Sequence, residues 1–351
     1  MIGCVDVFCG VGGLTYGLAK GGVNVTAGID IDPECRFPYE ANNRARFLQL
    51  DVKQVSGDQL RSLWKRDRYS LLAGCAPCQP FSTYGRRRDR EATSKKRWGL
   101  VTEFGRLVAE SHPDFVTMEN VPQLIHHEVF SEFVNSLAEY HVHFEVVDCV
   151  MYGVPQTRRR LVLLASRLGP LQMSPRFSIQ GPRTVRSAIA DLKPLRAGEG
   201  DPDDLLHSSC RLSDLNLKRI RASRPGGTWR DWTSSLVAKC HLKDSGGTYP
   251  GVYGRMEWDQ PAPTITTQSF GYGNGRFGHP DQDRAITLRE AALLQTFPKS
   301  YKFLPSGAKL RYSVLGRLIG NAVPVSIGEQ IADSLFDHIK KTKKQQKTLI
   351  R

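Results

Sequence analysis

Residues 2–8, Ile-Gly-Cys-Val-Asp-Val-Phe, form a short apolar run that breaks at Cys9-Gly10-Val11-Gly12-Gly13, and a helical pattern follows to about Lys20. An apolar run of that length, bounded by glycine, reads as a buried strand. Similar runs recur at 23–29, 47–50, 71–73, 115–118, 144–150 and 160–165. Helical patterns separate several of them, notably Leu100–Ser111 and Val129–Tyr140. Strands alternating with helices imply an α/β domain built on a mostly parallel, Rossmann-like sheet. In such a sheet the ligand lies beyond the carboxyl ends of the strands. Asp6, Asp30, Asp51, Cys78 and Glu119 all fall at such ends.

The pattern changes after residue 168. Residues 169–262 are rich in Pro, Gly, Ser, Arg and Trp and carry little periodicity, which predicts a smaller loop-rich module. Helical patterns return at Leu288–Phe297 and Val314–His338. The basic end, 340–351, is expected to fray into solvent.

Lys and Arg number 49 against 35 Asp and Glu, a formal charge of +14. That excess favours a polyanionic partner, nucleic acid or an anionic membrane surface. No apolar run approaches the ~20 residues that span a bilayer, and the first residues lack the basic stretch of a signal peptide. The eight cysteines are scattered, as in a reduced, cytosolic protein. Cys75 and Cys78 form a C-x-x-C, but no second pair completes a zinc site, so no metal is expected. A thioredoxin-like pair fits the spacing but not the charge.

Five constellations carry chemistry. The glycines of Phe8–Gly13 let the backbone approach a ligand at a helix N-terminus, or simply make a tight turn. Position 15 is Thr where a dinucleotide fingerprint has its third Gly. Asp30 and Asp51 are placed to bind ribose hydroxyls and an adenine amino group, or to cap local turns. Glu119-Asn120-Val121 follows an apolar strand; burial there raises a carboxyl pKa and suits a proton donor, though a satisfied strand-end Glu reads the same. In Gln156-Thr157-Arg158-Arg159-Arg160, strand alternation places Arg158 and Arg160 on one side and Arg159 on the other. Cys78 lies between Pro77 and Pro80, stiffly mounted either as a presented thiol or as a small buried hydrophobe.

In order, Phe8–Gly13, Pro77-Cys78-Gln79, Glu119-Asn120-Val121, Gln156–Arg160 and Gly320-Asn321-Ala322-Val323-Pro324 resemble the motifs of the S-adenosylmethionine-dependent cytosine-C5 DNA methyltransferases. The resemblance runs from residue 2 to about 335, interrupted by 169–262. It implies that Cys78 attacks C6 of cytosine, that Glu119 engages N3, and that Arg158 and Arg160 fix O2 and its surroundings. It implies a cofactor site lined by Asp6, Phe8, Gly10, Gly12, Gly13, Asp30, Ile31, Asp51, Pro77, Leu100, Asn321 and Ala322. Cys75-Ala76 departs from the Gly or Pro residues common in the family and alters that wall slightly.

Duplex DNA buries C6 in the stack, so the target base must be flipped out. By resemblance, the segment after Cys78, with Gln79, Ser82, Arg86, Arg88 and Arg97, is a loop that closes over DNA. Residues 169–262 match the family's target-recognition region, where Lys218, Arg219, Arg221, Arg224, Arg230, Trp229 and Trp232 supply phosphate contacts or base readers. Trp229 and Trp232 serve equally well as that module's core. The divisions are then 1–168 for catalysis and cofactor, 169–262 for recognition, 263–339 for the return, and 340–351 for the tail. The expected protein is a monomeric bacterial enzyme, cytoplasmic and held at the nucleoid by its DNA, paired with a restriction endonuclease. No regulatory domain is expected ahead of the catalytic one, which favours a prokaryotic enzyme. Rival readings are a transfer-RNA cytosine methyltransferase, a non-catalytic DNA-binding module and a thiol redox protein.

Overall fold

The strands expected from the apolar runs assemble into one seven-stranded sheet. The computed structural model describes residues 1–64, 67–77, 90–174 and 181–349, with the main chain alone over 90–98, 244–245 and 346–349. In chain order the strands are β1 (Ile2–Val7), β2 (Asn24–Asp30), β3 (Arg46–Gln49), β4 (Tyr69–Gly74), β5 (Phe115–Asn120), β6 (His141–Asp148), β7 (Gln156–Thr157) and β8 (Arg159–Ser166). The sheet order is β3-β2-β1-β4-β5-β8-β6, with β7 outside it. The first five strands in that order run parallel, and β8 is antiparallel to both its neighbours. β1 and β5 are buried along their whole length. That explains their near-continuous apolar sequences, since helices cover both faces of a parallel sheet.

Helices α1 (Gly13–Lys20), α2 (Arg36–Asn42), α3 (Gly57–Trp64), α4 (Arg90–Ser111) and α5 (Glu128–Ser136) connect the strands. Leu60 and Trp64 of α3, Phe104 and Leu107 of α4, and Phe130 and Phe133 of α5 pack on Val5, Val7, Leu72, Val116 and Met118. Val5 and Val7 face this cluster, so Asp6 points to the opposite face, where α1 lies. α4 begins well before Leu100, so Lys95–Arg97 lie in a helix rather than in the turn-like loop expected.

The chain divides into two compact units: 1–152, 159–177 and 323–351 form the first, and 153–158 with 178–322 form the second. The return expected at 263 therefore comes at Val323. The second unit holds α6 (Val185–Ile189), the strands β9 (Gly200–Asp201) and β10 (Asp204–Ser208), α7 (Asp214–Ala222), β11 (Ala262–Pro263), α8 (Leu288–Leu294) and α9 (Tyr312–Asn321). Ile220, Tyr272 and Ala285 form one apolar cluster in it, Leu288, Phe297, Tyr301, Phe303 and Ile319 are buried too, and buried arginines stitch its loops. Arg255 donates to the carbonyls of Ile220, Ser223, His279 and Gln282. Arg284 pairs with Glu290, both fully buried.

α10 (Val325–Leu349) belongs to the first unit and packs against α1. A Cβ on Gly17 would meet the Val325 carbonyl at 2.2 Å, and one on Gly328 the Leu14 carbonyl at 2.7 Å, so only glycine permits this approach. The single helix expected over 314–338 is two. Pro324 lacks an amide hydrogen and disfavours helix at Val323, so α9 stops and α10 starts afresh. α10 then continues through the basic end to Leu349, where fraying was expected.

Candidate active site

Strand register aligns the carboxyl ends: Val7 pairs with Ile29 and Gly74, and Gly74 with Met118. After β1 the chain turns sharply into α1. Phe8, Gly10 and Gly12 adopt left-handed backbone, φ 59°, 53° and 86°. A side-chain-bearing residue rarely sits there, so Phe8 marks a held, strained turn. A Cβ on Gly10 would meet nothing within 4 Å, so the turn faces open space.

Asp30 fastens that turn. Its Oδ2 accepts from the Gly10 amide and its Oδ1 from the Asp32 amide, both at 2.9 Å. Burial raises its pKa, and the amide hydrogen bonds oppose the rise. Asp6 is fully buried, and Thr15 of α1 donates to its Oδ2 at 2.7 Å. Its Oδ1 has no hydrogen-bond partner. Desolvation pushes its pKa up to about 7. Ile31, next to Asp30, is 65% exposed, an unusual position for a large aliphatic side chain. Asp51 caps the short turn Val52–Gln54 by accepting from the Lys53 amide. Gly13 opens α1, and Leu100 packs half-buried on the core.

A second cluster lies at the ends of β4, β5 and β8. Glu119 is 3% exposed. Cys75 Sγ donates to its Oε2 at 2.8 Å. Arg160 Nε stands 2.9 Å from its Oε1. That ion pair is off the N–H axis, and Oε1 accepts no aligned hydrogen bond. The antiparallel course of β8 makes this meeting possible: Asn120 pairs with Leu161, so β8 begins where β5 ends. Asn120 donates to the Ala76 carbonyl at 3.1 Å and tethers the segment that leads through exposed Pro77 to Cys78. Cys78, Gln79, Ser82, Arg86 and Arg88 lie outside the described residues, as does the Arg97 side chain.

The profile of a family described as C-5 cytosine-specific DNA methylase matches residues 2–337. The chain belongs to that family. It is 51% identical over 342 residues to the Type II methylase M.HgiDII of Herpetosiphon aurantiacus, with 95% of each chain covered. It is 29% identical over 352 residues to the Type II methyltransferase M.Eco47II of Escherichia coli, covering 97% of this chain and 80% of that one. An E. coli prophage protein described as a DNA modification methyltransferase shares the fold, with a TM-score of 0.72 at 22% identity over 97% of this chain and 100% of that one. The protein is thus a DNA (cytosine-5-)-methyltransferase with the Rossmann-like fold of these enzymes.

In this methyltransferase Arg158 and Arg160 do not share a strand face, as alternation suggested. Arg158 lies between β7 and β8, outside either strand, so the two-residue period does not link the pair. Arg158 is 2% exposed, and its guanidinium donates to the carbonyls of Ile265, Gly320 and Ala322. Asn321 ends α9 exposed, and Ala322 follows half-buried; both fall in the second unit.

Trp232 is 7% exposed and donates to Ser223 Oγ; Arg219, itself buried, lies over its ring. Those two therefore build the second unit's core. Trp229 is half-buried and stacked on His241 at 4.3 Å. Arg221, Arg224 and Arg230 are exposed, paired with Asp283, Asp231 and the Gly247 carbonyl. Thr15, Cys75 and Asn120 were not singled out as site residues by the sequence. Each lies within or beside a motif that was, and adjacency was the only signal.

Proposed function

We propose that this enzyme transfers a methyl group from S-adenosylmethionine to C5 of a cytosine flipped out of a specific duplex DNA sequence, as the modification half of a restriction system. The observation that carries the reading is buried Glu119, held by Cys75 and paired with Arg160, at the strand edge from which the chain runs on to Cys78. Identity of 51% to a Type II methylase over 95% of both chains supports the restriction-modification assignment.

The residues after β1 and β2 fit the cofactor. The open turn at Gly10 and the N-terminus of α1 suit a carboxylate. The unpartnered Asp6 oxygen suits an ammonium group. Asp30 retains acceptor capacity for ribose hydroxyls, exposed Ile31 offers an apolar surface to a purine, and Asp51 stands ready for its amino group. When bound, the cofactor supplies a methyl group on a sulfonium centre.

In this reading the Cys78 thiolate adds to C6, and the ring's electrons move toward N3. Glu119 delivers a proton at N3, which neutralises the developing charge and leaves C5 nucleophilic. After methylation a base removes the C5 proton and Cys78 leaves. Arg160 steadies Glu119 and the O2 side of the ring. Arg158 acts as a positioning residue that shapes the 320–322 segment. The basic residues after Cys78, with Arg221, Arg224 and Arg230, hold DNA phosphates. The enzyme works as a monomer in the bacterial cytoplasm, needs no contact with its endonuclease, and among the described residues has no helix long and apolar enough to cross a membrane.

Bisulfite sequencing of DNA from a host expressing the protein identifies the target sequence. A duplex carrying that sequence with 5-fluorocytosine then traps the adduct, because fluorine at C5 cannot leave as a proton. The expected result is a cofactor-dependent covalent complex with the wild type and none with Cys78→Ser. Methyl transfer to transfer RNA alone, or an undiminished rate in Cys78→Ser, overturns the proposal.

A further inference from the structure

The two oxygens of Glu119 are not equivalent. Oε2 accepts a hydrogen bond from the Cys75 thiol at 2.8 Å. Oε1 faces Arg160 Nε at 2.9 Å but accepts no aligned hydrogen bond. One oxygen is therefore orientationally fixed, while the other has a charge nearby and a hydrogen-bonding direction still open. A carboxylate can rotate about its last torsion, which is broad and roughly two-fold. Without a donor on one side, nothing in the β5 backbone fixes the plane in which the carboxyl group lies.

We infer that Cys75 is a positioning residue for the reaction: its thiol anchors Glu119 through Oε2, so that Oε1 is the oxygen offered to the cytosine ring. Position 75 is well placed for this. Its amide continues the sheet ladder by donating to the Val7 carbonyl, and β4 neighbours β5 throughout. The anchor is thus mounted on the sheet rather than on a loose loop. Among the described residues, Cys75 from the end of β4 and Arg160 from β8 are the titratable and charged groups in contact with Glu119. Asn120, next along β5, turns its amide away to the Ala76 carbonyl. Arg160 by itself supplies attraction without direction. The thiol supplies direction, which a Gly or Pro at position 75 does not.

The inference rests on the reading of Glu119 as the proton donor to N3, and adds which side chain holds that carboxyl group in place.

The test is kcat and KM for methyl transfer to the mapped duplex, with wild type, Cys75→Ala, Cys75→Ser and Glu119→Gln. For Cys75→Ala, a loss of about 3–10-fold in kcat with KM little changed is expected, the size of one modest hydrogen bond. Cys75→Ser restores a donor, so it should recover the rate to within about threefold. A merely structural role is not rescued by the serine hydroxyl, and thermal melting of each variant separates misfolding from lost positioning. Glu119→Gln controls the underlying reading. If it retains full activity, the proton-donor role falls. If it collapses while Cys75→Ala keeps the wild-type kcat, or Cys75→Ser loses as much as Cys75→Ala, the positioning role alone falls.

Discussion

Asp6 and Arg158 show how one buried charged side chain acts differently from its sequence neighbours. Asp6 is enclosed between the sheet and α1, with one oxygen bonded to Thr15 and the other unpartnered. Its folded pKa is raised from the ordinary 3.8 to about 7, so the folded state holds this proton more tightly than the unfolded chain. The linkage sign follows: between about pH 4 and pH 7 the native state binds more protons, so stability falls as pH rises, then levels off. Asp6→Asn should remove that slope and be more stable than wild type at pH 8, by on the order of a few kcal/mol, in denaturant titrations across pH. Equal slopes in the two proteins would refute the assignment. Arg158 and Arg160 differ as sharply. Arg158 satisfies carbonyls at 265, 320 and 322. Arg158→Ala should destabilise by about 3 kcal/mol or more, because buried acceptors lose a charged donor. Arg160→Ala should lower kcat and also the melting temperature, because it leaves the buried Glu119 carboxyl without its charged partner.

At the scale of elements, the chemistry depends on which strands end together. The parallel strands bring the Asp6, Asp30 and Gly10 region and the Cys75 end of β4 to one edge. The reversed strand β8 then brings Arg160 to the end of β5. The apolar runs were legible as strands because a doubly covered sheet demands continuous apolar sequence, but nothing in a run's composition states its direction. The α1–α10 contact is another long-range pairing, resting on Gly17, Gly21 and Gly328. Gly17→Ala should destabilise by about 1–3 kcal/mol through overpacking against the Val325 carbonyl. Gly10→Ala meets open space, so it pays only for its left-handed backbone, about 1 kcal/mol, while weakening S-adenosylmethionine binding. Melting curves and cofactor titrations of the two variants should show these opposite patterns. A Gly17→Ala protein as stable as wild type would contradict the close approach.

For the molecule as a whole, the charge of +14 overstates the surface available to DNA. Arg158, Arg219, Arg255, Arg284 and Arg289 are all buried, bonded to carbonyls, to acids or to both. They add fixed polar links beside the apolar residues that the second unit buries, among them Leu288, Phe297, Tyr301, Phe303 and Ile319. Exposed Arg221 and Arg224 sit in surface ion pairs worth little by themselves, so phosphates can displace those partners at small cost. Duplex binding should therefore weaken steeply with salt, by roughly 10³–10⁵ between 50 and 200 mM if about 6–10 phosphates are neutralised. Fluorescence anisotropy over that range checks it, and a flat response would remove DNA phosphates as the main attraction.

The sequence by itself determined the α/β class, the family and the residues at the strand ends, because strand periodicity, glycine turns and ordered motifs are local signals. Its placing of Arg158 and Arg160 on one strand face did not hold, since Arg158 lies between β7 and β8 and the strand period does not reach it. The tertiary structure decided that Arg158 donates to backbone carbonyls, that Trp232 belongs to the core, and that Val323 rather than residue 263 marks the return to the first unit. It also decided that Cys75, half of an unremarkable C-x-x-C, meets Glu119. Each of these depends on which distant segments touch, and only the folded chain fixes that.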